Sequence, residues 1–177
     1  NYGANIPGLE TLAEADLMVI FTRFRALPDS QMQAIEDYLM AGKPVLGIRT
    51  STHAFNFPED SPWAHYSNAY AGEKRAWRGG FGELVLGEKW ISHHGSHKHE
   101  STRGRIVEGQ ADHPILRGIE DGAIWGPTDV YTVQRMRGSE QPLVLGEVVR
   151  REGEVDEEDL FYGMRESDTE LAPRKND

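Results

Sequence analysis

Two short apolar runs separated by one amphipathic stretch dominate the first third of the chain. Asp16-Leu17-Met18-Val19-Ile20-Phe21 is compact and almost wholly apolar, the pattern of a strand buried on both faces. Pro28-Asp29-Ser30 then opens a helix that runs to about Ala41, because proline suits a first helical turn. Met32, Ile35, Leu39 and Met40 recur along it at helical spacing, with Gln31, Glu36 and Asp37 outside. Gly42 suits the helix end, and Pro44 to Ile48 predicts a second buried strand. Strand, helix and strand at this spacing predict a βαβ unit with parallel strands and a right-handed crossover. The polar stretches at the two strand ends, Thr22-Arg23-Phe24-Arg25 and Arg49-Thr50-Ser51-Thr52-His53, are then expected side by side.

The pattern is less regular further on. Leu9 to Ala15 holds a short set of helix formers, and Asn56 to Trp77 is irregular and aromatic. Gly79-Gly80-Phe81-Gly82 reads as a loop, and Leu84 to Leu86 as a short strand or turn. Arg105-Ile106-Val107 is expected to be extended, and His113 to Ile119 to lead from a turn into one helical turn. Val130 to Val133 and Leu143 to Leu145 predict further strands. These elements give one α/β domain over residues 1–149, followed by an acidic loop or disordered segment over 150–177. The chain shows no internal repeat.

Composition narrows the partners. A chain of 177 residues suits one domain with a real core. Its net charge of −10 argues against nucleic acid, whose binders present a basic face, and against an anionic membrane surface. Glu147 to Asp177 alone carries 11 acidic and 5 basic residues, or −6 of that total, so the rest is close to balanced. A locally positive site is therefore compatible with the sequence. The absence of cysteine removes disulfides, thiolate metal sites and thiol nucleophiles, and leaves the compartment open. No run approaches the ~20 apolar residues of a membrane span.

The candidate chemistry lies at the strand ends and in a histidine cluster. Arg23, Arg25 and Arg49 offer guanidinium forks suited to carboxylate, phosphate or vicinal oxygens. Thr22, Thr50, Ser51 and Thr52 add hydroxyls that donate and accept, as sugar recognition requires. His53 can act as an acid or base near neutral pH. The bland alternative is that these arginines pair with acids such as Asp129 or Glu83 and brace loops. The second cluster, His93-His94-Gly95-Ser96-His97-Lys98-His99, would place His97 and His99 on one face if extended. Two of its histidines with Asp129 or Glu100 could hold zinc or iron, although the spacing matches no metalloenzyme signature. No metal ligand is assigned on this basis, and the cofactor stays unknown.

The stretches Ala15–Phe55, Trp90–Gly104, His113–Ile119 and Gly126–Tyr131 together resemble the trehalose-utilisation (ThuA-like) family, with Arg49-Thr50-Ser51-Thr52-His53 the most specific part. The likeness runs from about Asn5 to Tyr131. It implies a class I glutamine amidotransferase-like fold, an open flavodoxin-like parallel sheet with helices on both faces. It also implies an internal fragment, incomplete at both ends. Amidotransferases of this fold carry Gly-x-Cys-x-Gly at a nucleophile elbow, where this chain has Gly47-Ile48-Arg49-Thr50-Ser51. Cysteine-dependent glutamine hydrolysis is excluded.

The function the resemblance implies is carbohydrate metabolism, the binding or processing of a sugar or keto-sugar derivative such as a 3-keto glycoside. His53, His93 and His94 are the candidate acid/base groups. Thr22, Arg23, Arg25, Arg49, Thr50, Thr52 and Asp129 are the candidate substrate-binding residues. Two alternatives stay open: a non-catalytic ligand-binding or scaffold domain, and a histidine–metal hydrolase. The expected partner is a small carbohydrate-like molecule, not nucleic acid or membrane, and the oligomeric state is open.

Overall fold

The computed structural model describes residues 4–134 and 140–173. The chain divides into two compact units, Asn1–Trp90 with Val133–Arg137, and Ile91–Thr132 with Gly138–Asp177.

In the first unit β1 (Met18–Ile20) and β2 (Val45–Gly47) pair in parallel, Met18 opposite Val45 and Ile20 opposite Gly47. The helix α1 (Asp29–Met40) joins them, so the expected βαβ unit is present. Pro28 caps α1 with its carbonyl, which accepts from the amides of Gln31 and Met32. Asp29 in the first turn accepts from Trp63 Nε1 at 2.9 Å. Met32, Ile35 and Tyr38 form the buried face of α1 and pack in a core that includes Met18, Ile20, Phe55, Tyr66 and Phe81. Each such side chain contributes roughly 1.5–3 kcal/mol through burial.

The expectation that Met40 faces inward is corrected. At about 100° per residue, Met40 lies about 140° round the helix from Ile35, and it is exposed. Tyr38 takes the inner position instead, its hydroxyl donating to the Pro44 carbonyl at 2.6 Å.

Neither strand is buried on both faces, as their apolar runs predict. Met18 and Ile20 point into the core, whereas Val19 is 54% exposed and its register partner Leu46 52%. Gly79-Gly80-Phe81-Gly82 is also not a loop. Gly79 caps a second helix, α2 (Gly80–Val85), which absorbs most of the stretch read as a strand or turn. Leu9–Ala13 forms a 3-10 turn.

The second unit contains an antiparallel sheet. β3 (Trp90–His94), which begins in the first unit, pairs with β6 (Val130–Val133), which ends there. β4 (Glu100–Ile106) pairs antiparallel with β7 (Val144–Arg150) from Glu100 opposite Arg150 to Ile106 opposite Val144. The short β5 (Trp125–Gly126) lies antiparallel on the other edge of β4.

The open flavodoxin-like sheet implied by the resemblance is therefore overturned. The parallel sheet of β1 and β2 has only two strands, and the three-stranded sheet is antiparallel. The physical reason is the connections. Each added parallel strand needs a crossover of a dozen or more residues, normally a helix. After β2 the described residues contain one further α-helix, the six-residue α2, and the other segments that join strands are 3-10 turns and loops. The apolar runs after residue 90 are strands, but the turns between them do not make βαβ crossovers.

Beyond Arg150 the chain runs through turns tied by carboxylates. Asp159 accepts from the amides of Phe161 and Gly163 and from Arg165, and Glu152 accepts from Thr169 and Glu170. Residues 174–177 of the expected acidic segment lie outside the described residues. No helix among the described residues is long and apolar enough to cross a membrane.

Candidate functional site

The two strand ends of the first unit lie together, as the βαβ reading requires. The Phe24 amide donates to the His53 carbonyl at 3.0 Å, and the Arg25 amide to the Ala54 carbonyl at 2.7 Å. Thr50 Oγ1 donates to the Thr22 carbonyl at 2.8 Å. Ser51 Oγ donates to the Ile20 carbonyl at 2.5 Å and accepts from the Ile48 amide at 3.1 Å. These hydroxyls knit β1 to β2, so their donor protons go to backbone. Two non-glycine residues here have left-handed backbones, Phe24 at φ +48° and Arg49 at φ +44°. Such residues cost about 1–3 kcal/mol each and gather at functional turns.

The side chains at this place differ in access. Arg23 and Arg49 are exposed, and the Arg23 guanidinium lies 5.3 Å from the Phe24 ring centroid. Thr22 Oγ1 and Arg25 Nε are shielded from solvent without a hydrogen-bond partner among the described residues. His53 is buried, its ring 4.9 Å from Phe24 and 4.8 Å from Trp90, with Nδ1 3.2 Å from Thr52 Oγ1. An imidazole so enclosed packs the turn, with little access to a reacting molecule.

The second unit holds the other expected site residues. Asp129, immediately before β6, has a side chain only 2% exposed, whereas His93 on β3 is 57% exposed. His93 Nδ1 and Asp129 Oδ2 form a hydrogen-bonded pair. Asp129 Oδ1 accepts from Thr128 Oγ1 at 3.0 Å. The edge of the Tyr131 ring meets His93 at a centroid distance of 5.2 Å. A carboxylate that takes the Nδ1 proton fixes the tautomer and the orientation of the ring. His94 follows His93 on the strand, so it points to the opposite face.

His97, left out of the acid/base candidates, also reaches this carboxylate, with Nδ1 3.6 Å from Asp129 Oδ1 and 3.4 Å from Thr128 Oγ1. His97 and His99 do not share an extended face. The amides of His99 and Glu100 both donate to the Ser96 carbonyl, and Lys98 has φ +68°, so Ser96–Glu100 is a tight turn. The signal for it in the sequence is Gly95. This residue has φ +102°, and a Cβ there would meet Asp129 Cβ and Val148 Cγ1 at 3.3 Å each. Thr128 beside Asp129 carried no pattern that would single it out.

Among the described residues, no group of three His, Cys, Asp or Glu is placed to hold a metal ion. A cavity of about 540 Å³ in the first unit, walled by Asn56, Phe57, Ser67 and Tyr70, contains none of the expected site residues. Compared with family models, curated proteins and solved structures, the chain matches none of them.

Proposed function

We propose that this protein processes a carbonyl-bearing sugar derivative, with the His93–Asp129 pair as its acid/base group. The observation that carries this reading is the contrast in burial: an exposed imidazole is held through Nδ1 by an almost fully enclosed carboxylate. Removal of a proton beside a carbonyl needs one base whose tautomer and orientation are held, which this pair supplies. Tyr131 limits the rotation of the ring from one side. The sugar class follows from the resemblance to trehalose-utilisation proteins. Nucleic acid and membranes are not among the partners of this reading, in keeping with the net charge of −10.

A panel of 3-keto glycosides and the parent glycosides tests the reading. Turnover of a keto sugar that disappears in His93→Gln supports it. Saturable binding without turnover across the panel contradicts it.

Such binding alone would favour a second reading, a ligand-binding domain centred on the ends of β1 and β2. The observation behind it is that His53 is enclosed while Arg23 is exposed. That end of the first unit can recognise oxygens, but it offers no accessible base. Unsatisfied polar atoms on Thr22 and Arg25 add to the case, since each costs about 1–3 kcal/mol without a partner.

A further inference from the structure

We propose that the outer face of the β1–β2 sheet is an interface between two copies of this protein, packed face to face about a two-fold axis so that their strands run antiparallel. Such a contact is independent of the acid/base reading above.

Side chains alternate along each strand, so the sheet has two faces. Met18 and Ile20 point into the core, with Val45 packed against it, and the Leu86 side chain lies where a Cβ on Gly47 would stand. Val19 and Leu46, opposite each other in the register, point the other way. The same alternation sets Leu17 and Phe21 on the Val19 face, and Ile48 beyond Leu46. All five side chains are between 43% and 63% exposed. Parallel strands are normally covered on both faces, and both of these runs are apolar enough for that. Among the described residues the core covers only one.

The area fits a second copy. Five such side chains, each about half exposed, present roughly 500 Å² of apolar surface, more than the few hundred a monomer usually leaves in one patch. Two of these faces packed together remove roughly 1,000 Å² from water, the size at which specific interfaces begin. Packed sheets keep their strands nearly aligned and interdigitate their side chains, which two flat rows of Leu, Val, Phe and Ile allow. Charge selects the direction. The end where the sheet begins carries the exposed acids Glu14 and Asp16, and the end where it finishes carries the exposed Arg23. Antiparallel placement sets Arg23 of each copy toward Glu14 and Asp16 of the other, so the surface is complementary to itself. Parallel placement would set like charges together.

Sedimentation equilibrium of the whole chain tests this from about 1 to 100 μM, in about 0.15 M salt to screen the net charge of −10. The wild type is expected to pass from the mass of one chain to that of two. Leu46→Lys and Val19→Lys should each weaken association at least about 100-fold, because each leaves an unpaired charge at the centre of the contact. Met40→Lys, at an equally exposed apolar position on α1, should leave it unchanged. Arg23→Glu should weaken association about 10-fold, and adding Asp16→Arg should recover most of the loss. Circular dichroism melts check that each variant folds, and Leu46→Thr replaces Leu46→Lys if it does not. A wild type that stays a single chain at the highest concentration overturns the proposal and leaves the face to a different protein. A dimer that folded Leu46→Lys and Val19→Lys leave intact overturns it as well, and one that Arg23→Glu does not weaken overturns the antiparallel placement.

Discussion

Gly82 stands directly against the carbonyl of Thr52: a Cβ added there would lie 2.1 Å from that oxygen. The first turn of α2 therefore closes onto the backbone of the Arg49–His53 turn, and it can do so only without a side chain. Gly82→Ala should destabilise the protein by about 1–3 kcal/mol, the usual cost of forcing atoms into a packed site. Urea denaturation checks this through the midpoint, and a midpoint equal to wild type would mean that α2 does not press on the turn.

Residues Met32 and Met40 on one helix separate the core from the surface. Met32→Ala removes a fully buried side chain and should cost about 2–5 kcal/mol. Met40→Ala, at an exposed position, should change stability by no more than about 0.5 kcal/mol. Equal losses in the two variants would show that α1 buries a different face.

The pH dependence of stability has a specific source in His65. Its ring is enclosed by Tyr66 and Trp77, and Lys74 Nζ stands 3.2 Å from Nδ1. Burial first, and the Lys74 charge second, hold its pKa below the ordinary 6.5, against a hydrogen bond with Pro62 that raises it. Between the lowered folded value and 6.5 the unfolded chain binds more protons than the folded one, so folding weakens as pH falls through that window. Above the window the contribution is fully retained. The stability of wild type minus that of His65→Gln should therefore decline between pH 7 and pH 5. A difference that stays flat or grows toward low pH would contradict the assignment.

Gly95→Ala tests how closely the histidine turn is fitted over Asp129. The added methyl meets Asp129 Cβ and Val148 Cγ1 and forces a left-handed backbone on alanine. Activity on a keto sugar should fall, because the turn that abuts Asp129 is displaced from it. Wild-type activity in Gly95→Ala, with an unchanged melting temperature, would mean that the turn has no part in the site.

How much of this was legible in the sequence depended on whether the signal was local. The βαβ unit could be read because Leu17 to Ile20, the α1 periodicity and Pro44 to Ile48 each carry their own pattern. The adjacency of Thr22–Arg25 and Arg49–His53 followed from parallel pairing. Extension to a full parallel sheet failed because strands such as Val130–Val133 do not declare their direction; that depends on connections and partners distant in sequence. Burial on both faces failed for the same reason, since Val19 and Leu46 are as apolar as Met18 and Ile20. The histidine cluster was visible as a cluster. Its geometry depends on Gly95 and on Thr128 and Asp129, more than thirty residues away, so the approach of His93 and His97 to one carboxylate could not be read from spacing.

The most direct test of the central claim is steady-state turnover of a 3-keto glycoside by wild type, His93→Gln and Asp129→Asn. The account predicts that kcat falls about 10²–10⁴-fold in His93→Gln and substantially in Asp129→Asn, while KM changes little, because the pair acts on the reacting proton. Wild-type kcat in His93→Gln would contradict it.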